Sequence, residues 1–240
     1  MIKKLIIKLI PKKLVEIIKT KFEVPSQKSS FTRLKKLGFN PKKIIDIGAY
    51  EGYWALEINQ IFPGVQLLMI EGQQNKKPLL DQVSKQIFGS KVNIALLGAE
   101  KKYVEFNIYE SASSIFKEDN ETNAKVETIQ LQLLDEVVVE TDFESVDLIK
   151  LDTQGSEIEI LKGGLTVLKS AQAVLMEVSM LGIYKGAPLV SDVILFMKDN
   201  GFILYDICSI MRRPYDKALF QSDFLFIKQT HPLVSSTRWL

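Results

Sequence analysis

Residues 43–53 read Lys43-Ile44-Ile45-Asp46-Ile47-Gly48-Ala49-Tyr50-Glu51-Gly52-Tyr53, and this stretch decides the fold. Ile44, Ile45 and Ile47 form a β-branched run suited to a strand buried on both faces. Gly48 and Gly52 follow at once, and residues 53–58 continue as a helix packed back on that strand. A strand, a glycine turn and a helix start offer free N–H groups and let a ligand approach the backbone, as in nucleotide sites. The spacing is D-x-G-x-x-x-G, not the dinucleotide G-x-G-x-x-G. Asp46, two residues before Gly48, would repel a pyrophosphate but suits a ligand carrying a cation. S-adenosyl-L-methionine (SAM) is such a ligand, with a sulfonium, an α-ammonium and no phosphate. The stretch therefore points towards methyl transfer; an ordinary strand–turn–helix is the competing reading of these residues alone.

Working outward, residues 65–70 form a second buried strand ending at Glu71-Gly72. Glu71 lies near the offset at which an acidic side chain grips ribose hydroxyls, and a carboxylate accepts both O–H groups of a diol. A helix at 78–88 and a third strand at 92–97, closed by Gly98, follow. Residues 103–109 and 126–133 alternate in the antiparallel manner around a serine-rich loop, Ser111 to Ser114, and read as an inserted hairpin near the cofactor pocket. Residues 146–151 make another buried strand ending at Asp152, then a helix at 156–161 where Ser156 and Glu159 have capping-box spacing. A strand at 173–176 ends at Glu177. A helix at 191–200, stopped by Gly201, precedes the last strands, 202–207 and 224–228, with a basic loop at Arg212-Arg213 between them. This alternation predicts an α/β, doubly wound parallel sheet with ligands at the carboxyl ends of its strands. Asp46, Glu71, Asp152 and Glu177 all fall there. The candidate cofactor residues are Asp46, Gly48, Ala49, Tyr50, Gly52, Tyr53, Glu71, Gly72, Leu97, Gly98, Ser114 and Asp152.

The 240 residues fit one large domain or two small ones, and 46% hydrophobic with 25% charged residues is globular. A net charge of +2 gives no general affinity for nucleic acid, but it is unevenly spread. Residues 1–21 carry seven lysines against Glu16, a net +6, which leaves −4 on the remainder. Leu14, Ile17, Ile18 and Phe22 share one helical face, fit for a membrane surface, a partner or the domain edge. The expected division is a basic helical extension, 1–29, and a catalytic domain, 30–240. Residues 24–30 read as a linker, and Ser30 as the cap of a short helix at 31–37 that Gly38 ends. A single cysteine, Cys208, excludes an internal disulfide, and a single histidine, His231, makes a histidine triad improbable. No apolar run reaches the roughly 20 residues of a spanning helix. The expectation is a cytoplasmic enzyme, peripheral at the inner membrane surface if the basic extension binds lipid.

Residues 46–53, DIGAYEGY, and above all residues 146–164, VDLIKLDTQGSEIEILKGG, resemble the FkbM-type SAM-dependent methyltransferases. MEVS from Met176, YKGAPL from Tyr184, GFILYD from Gly201 and SDFLF from Ser222 extend the resemblance over roughly 31–228. Two departures stand out. Ile70-Glu71-Gly72 replaces the family's F-E-P, and Leu131-Gln132 replaces its L-D. The resemblance implies a class I methyltransferase fold, a Rossmann-like seven-stranded sheet ending in an antiparallel strand. It also implies O-methylation of sugars, glycans, polysaccharide units or natural-product hydroxyls. The [ND]-P-P-[YFW] signature of amide and adenine N-methylation is replaced here by Asp152-Thr153-Gln154-Gly155.

Methyl transfer is an in-line displacement that depends on holding the acceptor oxygen beside the methyl carbon. A sugar hydroxyl benefits from a general base, and with no histidine in place the catalytic candidates are Asp152 first and Glu177 second. Asp152 has competing roles, binding the SAM ammonium, capping the next helix or, with Glu177, holding a divalent ion; two acids alone make a poor metal site, and none is assigned. Glu157 reads as a loop anchor, Tyr184 and Lys185 as weak acceptor contacts, and Arg212 and Arg213 as a phosphate grip or a solvated loop. The competing functions are a nicotinamide-dependent oxidoreductase and a non-catalytic SAM-binding module.

Overall fold

The computed structural model describes residues 22, 24–108, 113–116, 125–182 and 184–236. The segment 1–21, with the lysine cluster and most of the amphipathic face read from the sequence, lies outside the described residues. In chain order the elements are α1 (Gln27–Lys36), β1 (Lys43–Ile47), α2 (Tyr53–Ile61), β2 (Gln66–Glu71), α3 (Lys77–Ser84) and β3 (Lys91–Ile94). The hairpin strands β4 (Tyr103–Ile108) and β5 (Lys125–Gln130) come next, then α4 (Leu134–Glu140), β6 (Leu148–Leu151), α5 (Glu157–Lys162), α6 (Leu165–Ser170) and β7 (Ala173–Ser179). The chain continues with α7 (Val190–Asp199), β8 (Phe202–Ile207), the two-residue β9 (Met211–Arg212) and β10 (Leu219–Lys228).

The main sheet runs β3-β2-β1-β6-β7-β10-β8, with β9 added beside β10. Strands β3, β2, β1, β6 and β7 are parallel, whereas β10 is antiparallel to both β7 and β8. This is the class I methyltransferase sheet, and β4 and β5 pair separately as the inserted hairpin. Both faces of the sheet are covered because alternate residues of each strand feed different cores. Ile45, Ile47, Leu68, Ile70, Ile149 and Val174 pack with α4, α5, α6 and α7 on one side. Ile44, Leu67, Met69, Leu148 and Leu175 pack with α1, α2 and α3 on the other. The order reverses between β1 and β6, so the crevice for a ligand opens at their carboxyl ends.

Several local readings are corrected. Residues 27–30 are not linker: α1 begins at Gln27 and crosses the expected 29/30 division, with its cap at Ser26, whose Oγ accepts from Ser29 N at 3.1 Å. Ser30 instead donates to Asp206 Oδ2 at 2.6 Å, tying α1 to β8. Ser156 makes no side-chain cap to α5; its Oγ donates back to Thr153 O at 3.1 Å. Strands β7 and β10 also run beyond their expected limits, because their antiparallel pairing extends from Ser179–Gln221 to Ala173–Ile227.

Candidate active site

After β1 the chain turns at Gly48, φ +73°, and a Cβ there would lie 2.0 Å from the carbonyl oxygen of Asp152. The ends of β1 and β6 touch at this point, so glycine is required first by the chain's own backbone, before any ligand approaches. Gly48 and Ala49 N–H both donate to Ile70 O, at 3.0 and 3.1 Å. Tyr50 adopts a left-handed φ of +50°, which aims its N–H at Glu71 Oε2, 2.8 Å away. Glu71 Oε1 accepts from Gln73 N at 2.9 Å, so one carboxylate staples the turn after β1 to the turn after β2. Burial pushes the Glu71 carboxyl up, opposed by these two amides. Each oxygen retains a further lone pair for a ligand.

Under this turn lies a buried ion pair. Asp46 and Lys150 face each other across β1 and β6, with Lys150 Nζ 3.0 Å from Asp46 Oδ1. Lys150 also donates to Gly48 O at 3.0 Å and stands 3.8 Å from Asp152 Oδ2. Burial works against the lysine's charge, but the surrounding carboxylates outweigh it and raise its pKa. This buried cation therefore holds the turn and two strand-end acids together.

Asp152 opens the loop after β6. Glu157 shapes that loop, accepting from Thr153 N at 2.9 Å and from Gly155 N at 3.0 Å, which makes it the loop anchor read from the sequence. The loop includes Gln154 at φ +56° and Gly155 at φ +104°. Held this way, Gln154 Nε2 donates both to Asp152 Oδ1 at 3.0 Å and to Glu177 Oε2 at 2.8 Å. Its Oε1 accepts from Tyr184 Oη at 2.6 Å, and its backbone carbonyl accepts from Ser114 Oγ at 2.8 Å. Gln221 donates a second bond to Glu177 Oε2 at 2.9 Å. Nearby, Trp54 Nε1 donates to Gln27, and Gln27 donates to Asp223, at 2.7 Å each. Burial, then the charges of Asp152, Glu157 and Asp223, push Glu177 up to about 9. Among the described residues no three His, Cys, Asp or Glu side chains group as a metal site.

The proton on Glu177 sets a pH dependence. Its ordinary value is 4.5, so between pH about 4.5 and about 9 the folded state binds more protons than the unfolded one, and stability falls as pH rises. Glu177→Gln keeps an acceptor for Gln154 and Gln221 and removes the titration. Its urea stability relative to wild type is expected to improve steadily from pH 5 to pH 9; a difference independent of pH would show that Glu177 keeps an ordinary pKa.

The crevice is lined by Gly48, Tyr50, Glu71, Gly72, Leu97, Ser114 and Asp152 from the sequence-derived set. Ile70, Ala95, Leu96 and Phe106 give it an apolar slot, and a Cβ on Gly72 would sit 3.0 Å from Leu96 and 3.2 Å from Phe106. Among the described residues the lining holds two carboxylates and no Lys, Arg or His, which suits a phosphate-free adenosyl ligand such as SAM better than a dinucleotide. The remaining candidates stand outside the lining. Asp46 is fully buried below it, and Glu177 is reached through Gln154. Ala49 and Gly52 build the turn, with Gly52 against Val83; Tyr53 is 71% exposed, and Gly98 packs on Leu131. Gln132 meets the third-strand region through its backbone, donating to Leu96 O and accepting from Gly98 N. Arg213 is occupied by Asp216, at 2.8 and 2.7 Å.

A family model described as the methyltransferase FkbM domain matches residues 46–204. The chain belongs to the FkbM methyltransferase family. As an FkbM methyltransferase it is a SAM-dependent enzyme, which removes the nicotinamide reading. No curated protein sequence matches it at a significant level. Solved structures similar to this FkbM chain include precorrin-6y C5,15-methyltransferase from Geobacter metallireducens, with 11% identity, TM-score 0.46, and coverage of 83% of this chain and 86% of that one. Magnesium protoporphyrin IX methyltransferase from Synechocystis PCC 6803 with bound SAM gives 10% identity and TM-score 0.47 over 84% and 77%. TrmK of M. capricolum with S-adenosylhomocysteine gives 11% and 0.47 over 84% and 67%.

Proposed function

We propose that this FkbM methyltransferase methylates a hydroxyl oxygen of a sugar, glycan or natural-product acceptor, with Asp152 as the general base. The observation that carries the reading is the contrast among the four strand-end acids. Asp46 is sealed against Lys150, Glu71 is committed to two backbone amides, and Glu177 holds a proton near neutral pH. Asp152 alone is 41% exposed and lines the crevice. When bound, SAM supplies an electrophilic methyl group. Glu71 would hold its ribose, with Gly48, Tyr50, Gly72, Leu97 and Ser114 shaping the pocket, while Ala49, Gly52 and Asp46 support the turn; Tyr53 begins the helix that follows it and Gly98 packs on Leu131. Asp152 accepts the proton as the acceptor oxygen attacks, Gln154 fixes its orientation, and the neutral Glu177 adds no competing negative charge. Contact of residues 1–21 with an anionic membrane is supported by the lysine cluster of the sequence, and a cytoplasmic location belongs to the same reading; no helix among the described residues is long and apolar enough to cross a membrane. Paired saccharides that differ by one hydroxyl test the acceptor class. The hydroxylated member is expected to gain one methyl by mass spectrometry and its deoxy partner none; equal methylation of both would exclude that hydroxyl.

A further inference from the structure

Lys76 stands beside the cofactor turn, yet neither the glycine motif nor the strand-end acids point to it. Its Nζ lies 2.9 Å from Glu51 Oε1 and 3.7 Å from the centroid of the Tyr50 ring, and its side chain is only 11% exposed. Both partners belong to the turn between β1 and α2, whereas Lys76 ends the short 3-10 turn Gln74–Lys76 that follows β2. Tyr50 is the residue held at a left-handed φ of +50°, a conformation that a tyrosine adopts only when its surroundings enforce it. That conformation delivers the Tyr50 N–H to Glu71, and Tyr50, Glu71 and Gln73 all line the crevice.

We propose that Lys76 is a positioning residue of the cofactor site, a strap that clamps Tyr50 and Glu51 so that Glu71 is presented to the cofactor in one orientation. The inference rests on the crevice being the SAM site. A cation over an aromatic face and a carboxylate at hydrogen-bond distance act on the same ammonium, so the clamp fixes ring and backbone together. Burial opposes the charge on Lys76, but Glu51 and Tyr50 outweigh it and raise its pKa, so the ammonium persists at neutral pH. Preorganising the turn lowers the ordering cost of binding without a direct contact from Lys76 to the ligand.

The test is calorimetric titration of the full chain with S-adenosylhomocysteine. Lys76→Met keeps the aliphatic stem and removes the charge; it is expected to weaken binding about tenfold with little change in melting temperature. Lys76→Arg keeps a cation for both partners and is expected to restore affinity. Because the strap acts through Glu71, the loss caused by Lys76→Met should shrink to less than about threefold in a Glu71→Gln background. Wild-type affinity in Lys76→Met, failure of Lys76→Arg to restore binding, or fully additive losses would each overturn the strap. A wild-type chain that does not bind S-adenosylhomocysteine would overturn the SAM site itself and the strap with it.

Discussion

Asp152→Asn is expected to lower turnover by about 10²–10⁴ while leaving affinity for S-adenosylhomocysteine close to that of wild type. The substitution preserves size and keeps an oxygen for the Gln154 amide, which donates to Asp152 Oδ1 at 3.0 Å, but it removes the basic carboxylate. Glu177 cannot take over below its pKa of about 9, because it already holds its proton. Activity of the variant should therefore recover in part at high pH, where the acceptor hydroxyl ionises without help and Glu177 itself becomes basic. Stopped-flow or single-turnover transfer separates this loss in the chemical step from a loss of binding. A parallel fall in cofactor affinity would instead assign Asp152 to the SAM ammonium. Wild-type activity abolished by chelator and restored by Mg²⁺ or Mn²⁺ would assign it to a metal.

The second large effect is on stability. Lys150→Met should cost about 3–5 kcal/mol of unfolding free energy, the usual result of leaving one member of a buried ion pair alone. Asp46 is fully buried, its carboxylate makes an ion contact with Lys150 and finds no hydrogen-bond partner among the described residues, and Gly48 O would lose its donor. The double variant Asp46→Asn with Lys150→Met removes the stranded charge and is expected to regain a good part of that loss. Urea denaturation of both variants reads this directly. Unchanged stability in Lys150→Met would mean that Asp46 is protonated in the native protein and needs no partner.

The sheet was legible because residues 67–70 are apolar without interruption and residues 44–47 are broken only by Asp46, a pattern that suits a strand covered on both faces. Antiparallel β10 was legible only through the family resemblance, since hydrophobic pattern carries no strand direction. The helix start at Gln27 was missed because Pro25 and a serine cluster look like linker, whereas Ser26 caps and Phe31 and Leu34 anchor the helix in the core. At the site, Asp152 and Glu71 were visible as acids at strand ends. Lys150 was hidden within an apolar strand, where its charge was not connected to Asp46 until the β1–β6 register placed them opposite. Gln154 and Lys76 were missed for the same reason: their roles depend on contacts between segments far apart in the chain, Glu177 and Tyr184 for one, Tyr50 and Glu51 for the other.

Transfer of a methyl group from SAM to a hydroxyl oxygen, with Asp152 removing the proton, can be followed with SAM labelled with ¹³C at the methyl, incubated with enzyme and a saccharide fraction, and read by carbon NMR of the product. The expected signal is that of a methyl ether on a sugar carbon, present with wild type and nearly lost with Asp152→Asn. Label on nitrogen, carbon or a carboxyl ester, or equal ether formation by the Asp152→Asn enzyme, would contradict the account.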